Sequence, residues 1–259
     1  MQSGTIRPIA NMLPRNLFTA EHEAFRETVR KFYEKEVVPN IERYEQQQHV
    51  DRELWNKAGD MGLLCATMPE TYGGSGVDRL YSMILIEEQA YAMDSSTGFS
   101  LHSDIVANYL NNFGNEQQKK LWLPKMASGE VVTAIAMTEP GTGSDLRAVR
   151  TTAILDGEDY VINGSKIFIT NGYLCDMAIV VCKTGSADKG SANLSLLIVE
   201  ADRVGFSKGK PLNKIGMKGQ DTCELFFDNV RVPKENLLGM EGMGFMMLMK
   251  ELAWERMLV

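Results

Sequence analysis

Cysteine and histidine are scarce in this chain. Cys65, Cys175, Cys182 and Cys223 are its only cysteines and show no C-x-x-C spacing, and His22, His49 and His102 are too scattered to suggest a metal site. The thiols are therefore expected to be reduced and structural, with no metal bound. Positive charge is also in deficit: 27 Lys and Arg stand against 34 Asp and Glu, for a net charge of −7 and a pI near 5.2. That balance argues against nucleic acid as a partner, although a few local cations could still hold an anionic ligand. No segment approaches the ~18 consecutive apolar residues of a membrane helix, so membrane insertion is not expected. The first twenty residues hold Arg7 and Arg15 and no acid, a faint likeness to a mitochondrial presequence, but they lack a long apolar run or a cleavage signature. The chain reads as soluble and unprocessed, and its expected compartment is the cytoplasm. Neither a Gly-x-Gly-x-x-Gly opening a helix nor a Gly-Lys-Ser/Thr ending is present, which leaves a nicotinamide or nucleoside-triphosphate site weakly supported.

At 259 residues there is room for two compact domains of ~100 to 200 residues each. Between residues 19 and 39, Phe25, Val29, Phe32 and Val37 recur at helical spacing, with Thr19 placed as N-cap and Glu21 and Glu23 in the first turn. Further helices are predicted at about 52–61, 80–93, 100–113 and 116–127. After Gly129 the texture changes to short β-branched runs at 131–137, 151–155, 160–163, 178–182, 194–199 and 223–230. Asp156-Gly157 and Asn163-Gly164 are read as turns between them, and residues 185–193 as a loop. From Gly242 the pattern is helical again through Phe245, Leu248, Leu252, Glu255 and Val259. The expected architecture is α+β and multidomain. A helical domain spans 1–130, a β-barrel-like domain 131–240, and 241–259 begin a C-terminal helical bundle. That last helix is apolar around most of its circumference and has no C-terminal cap, so a further helical segment is expected to follow it.

Two stretches carry the chemistry. Residues 136–145 read Ala-Met-Thr-Glu-Pro-Gly-Thr-Gly-Ser-Asp, and residues 168–172 read Phe-Ile-Thr-Asn-Gly. Gly141 and Gly143 let a flat or anionic ligand approach the backbone, and Thr138, Ser144 and Thr170 add hydroxyls. The same residues also suit plain hairpin turns. Glu255 has Glu251, Leu252, Leu258 and Val259 at helical spacing, so no cation stands at i±3 or i±4 to pair with it. An apolar, like-charged setting would raise its pKa and suit a base working near neutral pH; a solvated helix carboxylate is the plain alternative. Met243, Met246, Met247 and Met249 suit flexible packing or subunit contact, and His102 a packed helix position.

The two stretches, in this order and spacing, resemble the acyl-CoA dehydrogenase family of flavoenzymes. Within it the resemblance lies nearest the long-chain branch, through residues 52–59, 87–91, 98–106 and 212–216. The resemblance implies FAD as cofactor and α,β-dehydrogenation of an acyl-CoA thioester, with electrons passed to an electron-transfer flavoprotein in fatty-acid β-oxidation. Leu252-Ala253-Trp254-Glu255-Arg256 matches a family helix whose Glu is the catalytic base, which makes Glu255 the implied base and Arg256 a contact at the CoA end. By the same resemblance the backbone of Ile135, Ala136 and Met137, with Thr138, Gly143, Ser144, Ile169 and Thr170, would contact the flavin. Phe168 would stand as an aromatic wall against the ring or else be strand core. Ser144 would also touch substrate, and Ser100, where some relatives place a longer Gln, would leave room for a long or branched acyl tail. A homo-oligomer, tetramer or dimer, is implied for the full-length protein, and the mitochondrial matrix as compartment if the source is eukaryotic. Residues 1–259 alone are expected to bind FAD weakly and to oligomerise abnormally. An oxygen-using relative, whether acyl-CoA oxidase or flavin monooxygenase, and a catalytically idle binding module are the alternatives on the same scaffold.

Overall fold

A computed structural model describes residues 15–185 and 193–258. Residues 186–192 of the expected loop, Val259 and most of the leader-like first twenty residues lie outside the described residues.

The first half is helical for local reasons. Helix α1 (Ala20–Phe32) begins at Thr19, whose hydroxyl accepts the His22 N–H at 3.4 Å, and it carries Glu21 and Glu23 in its first turn and Arg30 and Lys31 in its last. Its inward stripe is His22, Arg26, Val29 and Phe32, so a cation occupies a core-facing place. Arg26 is tolerated there because Glu87 and Glu88 meet it at 2.5 and 3.2 Å. A π-turn (Tyr33–Val37) and a 3₁₀ turn (Val38–Asn40) carry the chain past Pro39 into α2 (Ile41–Gln47), a helix the sequence reading did not anticipate. Helices α3 (Arg52–Asp60) and α4 (Arg79–Tyr91) follow. A π-helical segment (Leu101–Val106) then runs into α5 (Ala107–Phe113), and α6 (Glu116–Ala127) is opened by a reciprocal Asn115–Gln118 capping box.

Strands β1 (Thr133–Ala136), β2 (Thr152–Asp156), β3 (Asp159–Thr170), β4 (Met177–Lys183), β5 (Leu194–Glu200), β6 (Phe206–Lys208), β7 (Thr222–Pro233) and β8 (Leu237–Leu238) form one sheet in the order β6-β7-β3-β2-β4-β5-β8. β1 lies parallel to β4 at Thr133–Ala136 against residues 177–180, beside the point where Thr152 of β2 meets Lys183. The sheet curls over a shared interior but its path is open at β6 and β8. Both faces of β4 and β5 are covered, which explains their continuous apolar sequences. Met177, Ile179, Val181, Leu196 and Ile198 pack on the helices, while Ala178, Val180, Cys182, Leu197 and Val199 fill the inside of the curl. The four cysteines are free and buried.

Asp156-Gly157 is a hairpin turn as expected, with Asp156 paired to Asp159. Asn163-Gly164 is not a turn: β3 continues through it to Thr170, and the register against β7 shifts between Ile162 and Gly164. The cause is close approach, since a Cβ on Gly164, at φ +150°, would meet Thr151 Oγ1 at 2.5 Å.

Helix α7 (Gly244–Leu258) returns from the sheet and packs on β5, on α5 and on the π-helical segment. Its buried positions, Gly244, Met247, Leu248, Glu251 and Leu258, follow helical spacing, and one of them is a carboxylate. No helix among the described residues is long and apolar enough to cross a membrane.

Candidate active site

The Glu139 loop is fastened before it presents anything. Glu139 and Thr142 exchange backbone bonds of 2.9 and 3.0 Å around Pro140-Gly141, so the tip of the glycine-rich stretch is a tight turn. Below it, Lys166 of β3 has no exposed surface and reaches Glu139 Oε1 at 2.8 Å and the Met137 carbonyl at 3.1 Å. Glu139 also accepts the N–H groups of Arg150 and Thr151 at 2.6 and 2.9 Å. Burial pushes its pKa up, but Lys166 and these bonds outweigh it and hold the carboxyl below its usual range, while burial pulls the Lys166 ammonium down. The Ile167 N–H donates to the Thr138 carbonyl at 2.9 Å, and Asn171 Nδ2 reaches the carbonyls of Gly98 and Thr133. The two stretches singled out in the sequence are thereby tied to each other and to the helices.

A cavity of about 670 Å³ opens between this loop, Ile105 and α7. Met137, Thr138, Gly143 and Ser144 line one side, and Glu255 and Arg256 line another. Asp145 and Arg147, an exposed ion pair at 3.0 Å, stand at its rim, and Leu146, Phe245, Met249 and Leu252 make the apolar wall. The Thr138, Ser144 and Thr170 hydroxyls have no protein partner among the described residues, and a Cβ on Gly141 or Gly143 meets nothing within 4 Å. Free hydroxyls beside open backbone suit a flat heteroaromatic ring with a polar tail.

Glu255 is half-buried, and the Tyr109 hydroxyl donates to its Oε1 at 2.7 Å. It is therefore not the solvated, partnerless helix carboxylate that local spacing allowed. Burial raises its pKa and Glu251, one turn earlier, adds to the rise, while the Tyr109 bond and Arg256 oppose it. Such a carboxylate accepts a proton more readily than a free glutamate.

Six sequence-predicted positions stand off the cavity wall. Ile135 and Ala136 alternate along β1 into the two cores, so only their backbone is near the loop. Ile169 is core. Phe168, at φ +60° where the β3 register shifts, is 64 % exposed and is not strand core. Thr170 is half-buried at the end of β3, and Ser100 is half-buried just before the π-helical segment, whose Ile105 reaches the cavity in its place. Met249 lines the cavity, whereas Met247 is packed as expected. His102 is fully buried, with Nε2 at 3.0 Å from the Met126 carbonyl and Nδ1 at 3.2 Å from the Thr133 nitrogen, and burial lowers its pKa to about 4.

Sequence reasoning missed Tyr109 and Lys166. Lys166 left a signal, a lysine at an inward position of an alternating strand. Tyr109 left none, because its partner lies 146 residues away.

Two family models match this chain: acyl-CoA dehydrogenase, N-terminal domain, over residues 19–130, and acyl-CoA dehydrogenase, middle domain, over residues 134–230. The chain is 49% identical over 260 residues to the mitochondrial long-chain specific acyl-CoA dehydrogenase of Sus scrofa, with 100% of this chain and 60% of that protein covered. The crystal structure of acyl-CoA dehydrogenase from Geobacillus kaustophilus aligns with a TM-score of 0.91 at 46% identity, covering 94% of this chain and 64% of that one. An acyl-CoA dehydrogenase complexed with FAD from Bacillus anthracis aligns at 0.85 and 38% identity, covering 93% and 42%. The chain spans about 60% of the length of the first curated relatives it matches.

Proposed function

The chain belongs to the acyl-CoA dehydrogenase family, and from that membership we propose that it serves FAD-dependent α,β-dehydrogenation of acyl-CoA thioesters to trans-2-enoyl-CoA, with Glu255 as the base. One observation carries the reading: Glu255 and the Thr138 and Ser144 hydroxyls line the same cavity, although more than a hundred residues of chain separate them.

The residues that would hold FAD are Met137, Thr138, Gly143 and Ser144, with the Ile135 and Ala136 backbone and with Phe168, Ile169 and Thr170 at the margin. When bound, FAD supplies the acceptor for the hydride that leaves the β-carbon. Glu255 takes the α-proton, and the electron pair of that C–H bond becomes the new double bond as the hydride departs. Its raised pKa suits this work, since a base is most effective when its pKa lies near the operating pH. Arg256, exposed beside the cavity, offers a cation to the anionic CoA portion, and Ser144 a hydroxyl near the thioester. Ile105, Phe245, Met249 and Leu252 offer apolar surface to an acyl tail. Long or branched chains are the proposed substrates; Ser100 is off the cavity wall, and its small side chain is proposed to leave room for the far end of the tail. We further propose an electron-transfer flavoprotein as electron acceptor, a role in fatty-acid β-oxidation, and a dimeric or tetrameric holoenzyme. The proposed compartment is the bacterial cytoplasm or, for a eukaryotic source, the mitochondrial matrix.

The test is an anaerobic flavin-bleaching titration of the FAD-loaded holoenzyme with thioesters from C4 to C16, with Glu255→Gln alongside. Bleaching by long chains in the wild type and none in the variant is expected. Normal bleaching by Glu255→Gln would remove Glu255 as base, and wild type that no thioester bleaches would remove the dehydrogenase reading.

A further inference from the structure

The inference concerns what holds the base, and it rests on the reading of Glu255 given above. Tyr109 is fully buried on α5, and its ring is fixed against Phe113 with centroids 6.0 Å apart. Its hydroxyl donates to Glu255 Oε1 at 2.7 Å. One turn along each helix the arrangement recurs, with Asn112 Nδ2 donating to Oε1 of the buried Glu251 at 2.8 Å. The matched spacing, 109 and 112 on α5 against 255 and 251 on α7, fixes the rotation of α7 about its axis as well as the carboxylate itself. Both donors are neutral. A Lys or Arg in the place of Tyr109 would hold the carboxylate too, but its charge would favour the ionised form strongly and weaken the base. Glu255 Oε2 has no hydrogen bond among the described residues.

We propose that Tyr109 is the positioning residue of this site: its hydroxyl pins Glu255 Oε1 and so leaves Oε2 to meet the substrate proton in one orientation. Proton transfer depends on that orientation, and a misplacement of about 1 Å can cost roughly 100-fold in rate. Among the described residues the other charged groups around Glu255 are Glu251 and Arg256 on its own helix, the Asp145–Arg147 pair across the cavity, and Arg79 of α4, whose guanidinium lies 4.1 Å from the ring centroid of the adjacent Trp254. Asp104, on the segment leading into α5, is turned instead to Ser82 Oγ at 2.5 Å. Tyr109 is thus the neutral contact through which the pKa of Glu255 can be changed without altering charge.

Tyr109→Phe keeps the ring and removes the bond. In the FAD-loaded holoenzyme kcat should fall roughly 10- to 100-fold with KM for the thioester little changed, and the acid limb of the pH profile should move to higher pH. The second readout needs no turnover. The infrared carboxyl band of Glu255, assigned by its loss in Glu255→Gln, should titrate at higher pH in apo Tyr109→Phe than in apo wild type. If Tyr109→Phe folds poorly, fluorotyrosine at 109 serves, because its more acidic hydroxyl strengthens the bond and should move the same band to lower pH. An unmoved band and an unchanged kcat, with Glu255→Gln inactive, would overturn the role of Tyr109 and leave Glu255 as base. A shifted band with Glu255→Gln fully active would overturn the base and the inference together.

Discussion

Lys166 and Glu139 form a buried ion pair behind the cavity wall, where Lys166 also holds the Met137 carbonyl. Removing one partner of such a pair strands the other charge away from water, which costs about 3–5 kcal/mol. Lys166→Met should therefore destabilise the fold by roughly that amount, since Glu139 would keep its two backbone donors but lose its countercharge. Adding Glu139→Gln should recover only part of the loss, because a neutral amide needs no cation but turns its NH2 toward one of the two backbone donors. Urea unfolding of the single and double variants decides the matter, and equal losses in both would assign the effect to packing.

His102 offers a pH dependence with a defined sign. Its folded pKa, about 4, lies below the ordinary imidazole value of 6.5, so the fold favours the neutral ring. The associated stability is present above pH 6.5 and is lost as pH falls toward 4, for a total of roughly 3 kcal/mol. Asp104 and Asp221 work in the opposite sense. Burial raises each to about 6, so their contribution is present below the ordinary carboxyl value of 3.8 and disappears as pH rises through 6. The difference between wild type and His102→Gln isolates the imidazole: stability of the wild type should fall more steeply between pH 6.5 and 4. Parallel curves would mean that His102 titrates in the folded state as it does in the unfolded chain.

Among the elements, the loop of residues 92–98 meets the end of β3 where Gly98 faces Asn171. A Cβ on Gly98 would overlap Asn171 Oδ1, the side chain whose amide reaches the carbonyls of Gly98 and Thr133. Gly98→Ala must displace Asn171 and unfasten a helix connection from β1, so a loss of about 1–3 kcal/mol is expected in thermal or urea unfolding. The reason Asn171 could be placed in a functional stretch but not assigned this structural role is general to the chain. Helices α1 and α6 were legible because their caps and periodicity lie within a few residues of each other. Helix α2 was not, because Pro39 reads as a stop and the chain resumes helix only after a 3₁₀ turn. The continuation of β3 through Asn163-Gly164 depends on Thr151 of the neighbouring strand, and β6 and β8 are too short to leave a pattern. The glycine-rich loop and Glu255 were visible as residue types, whereas the phenol and the lysine that hold them are set by contacts far apart in sequence.

At the scale of the whole molecule, one of three buried clusters among the described residues is shared between helices and sheet. Tyr109 and Leu110 of α5, Leu123 and Met126 of α6, Ile179 and Val181 of β4, Leu196 and Ile198 of β5 and Leu248 of α7 belong to a single buried cluster. The cavity lies at the margin of that cluster, with Ile105 and α7 contributing to both. Two units joined by so much apolar contact should not unfold separately, because opening either one exposes the shared face of the other. Ile179→Ala tests this from the sheet side. Its side chain is fully buried, and truncation should cost about 2–5 kcal/mol. If the core is shared, the far-UV signal of the helices, the fluorescence of Trp122 on α6 and the amide exchange of β4 should all shift to lower denaturant together. A helical signal that stayed in place while β4 lost protection would show that the sheet can open alone. The wall carrying Thr138 and Ser144 could then move independently of the wall carrying Glu255, and the cavity would owe its shape to whatever binds in it rather than to the core behind it.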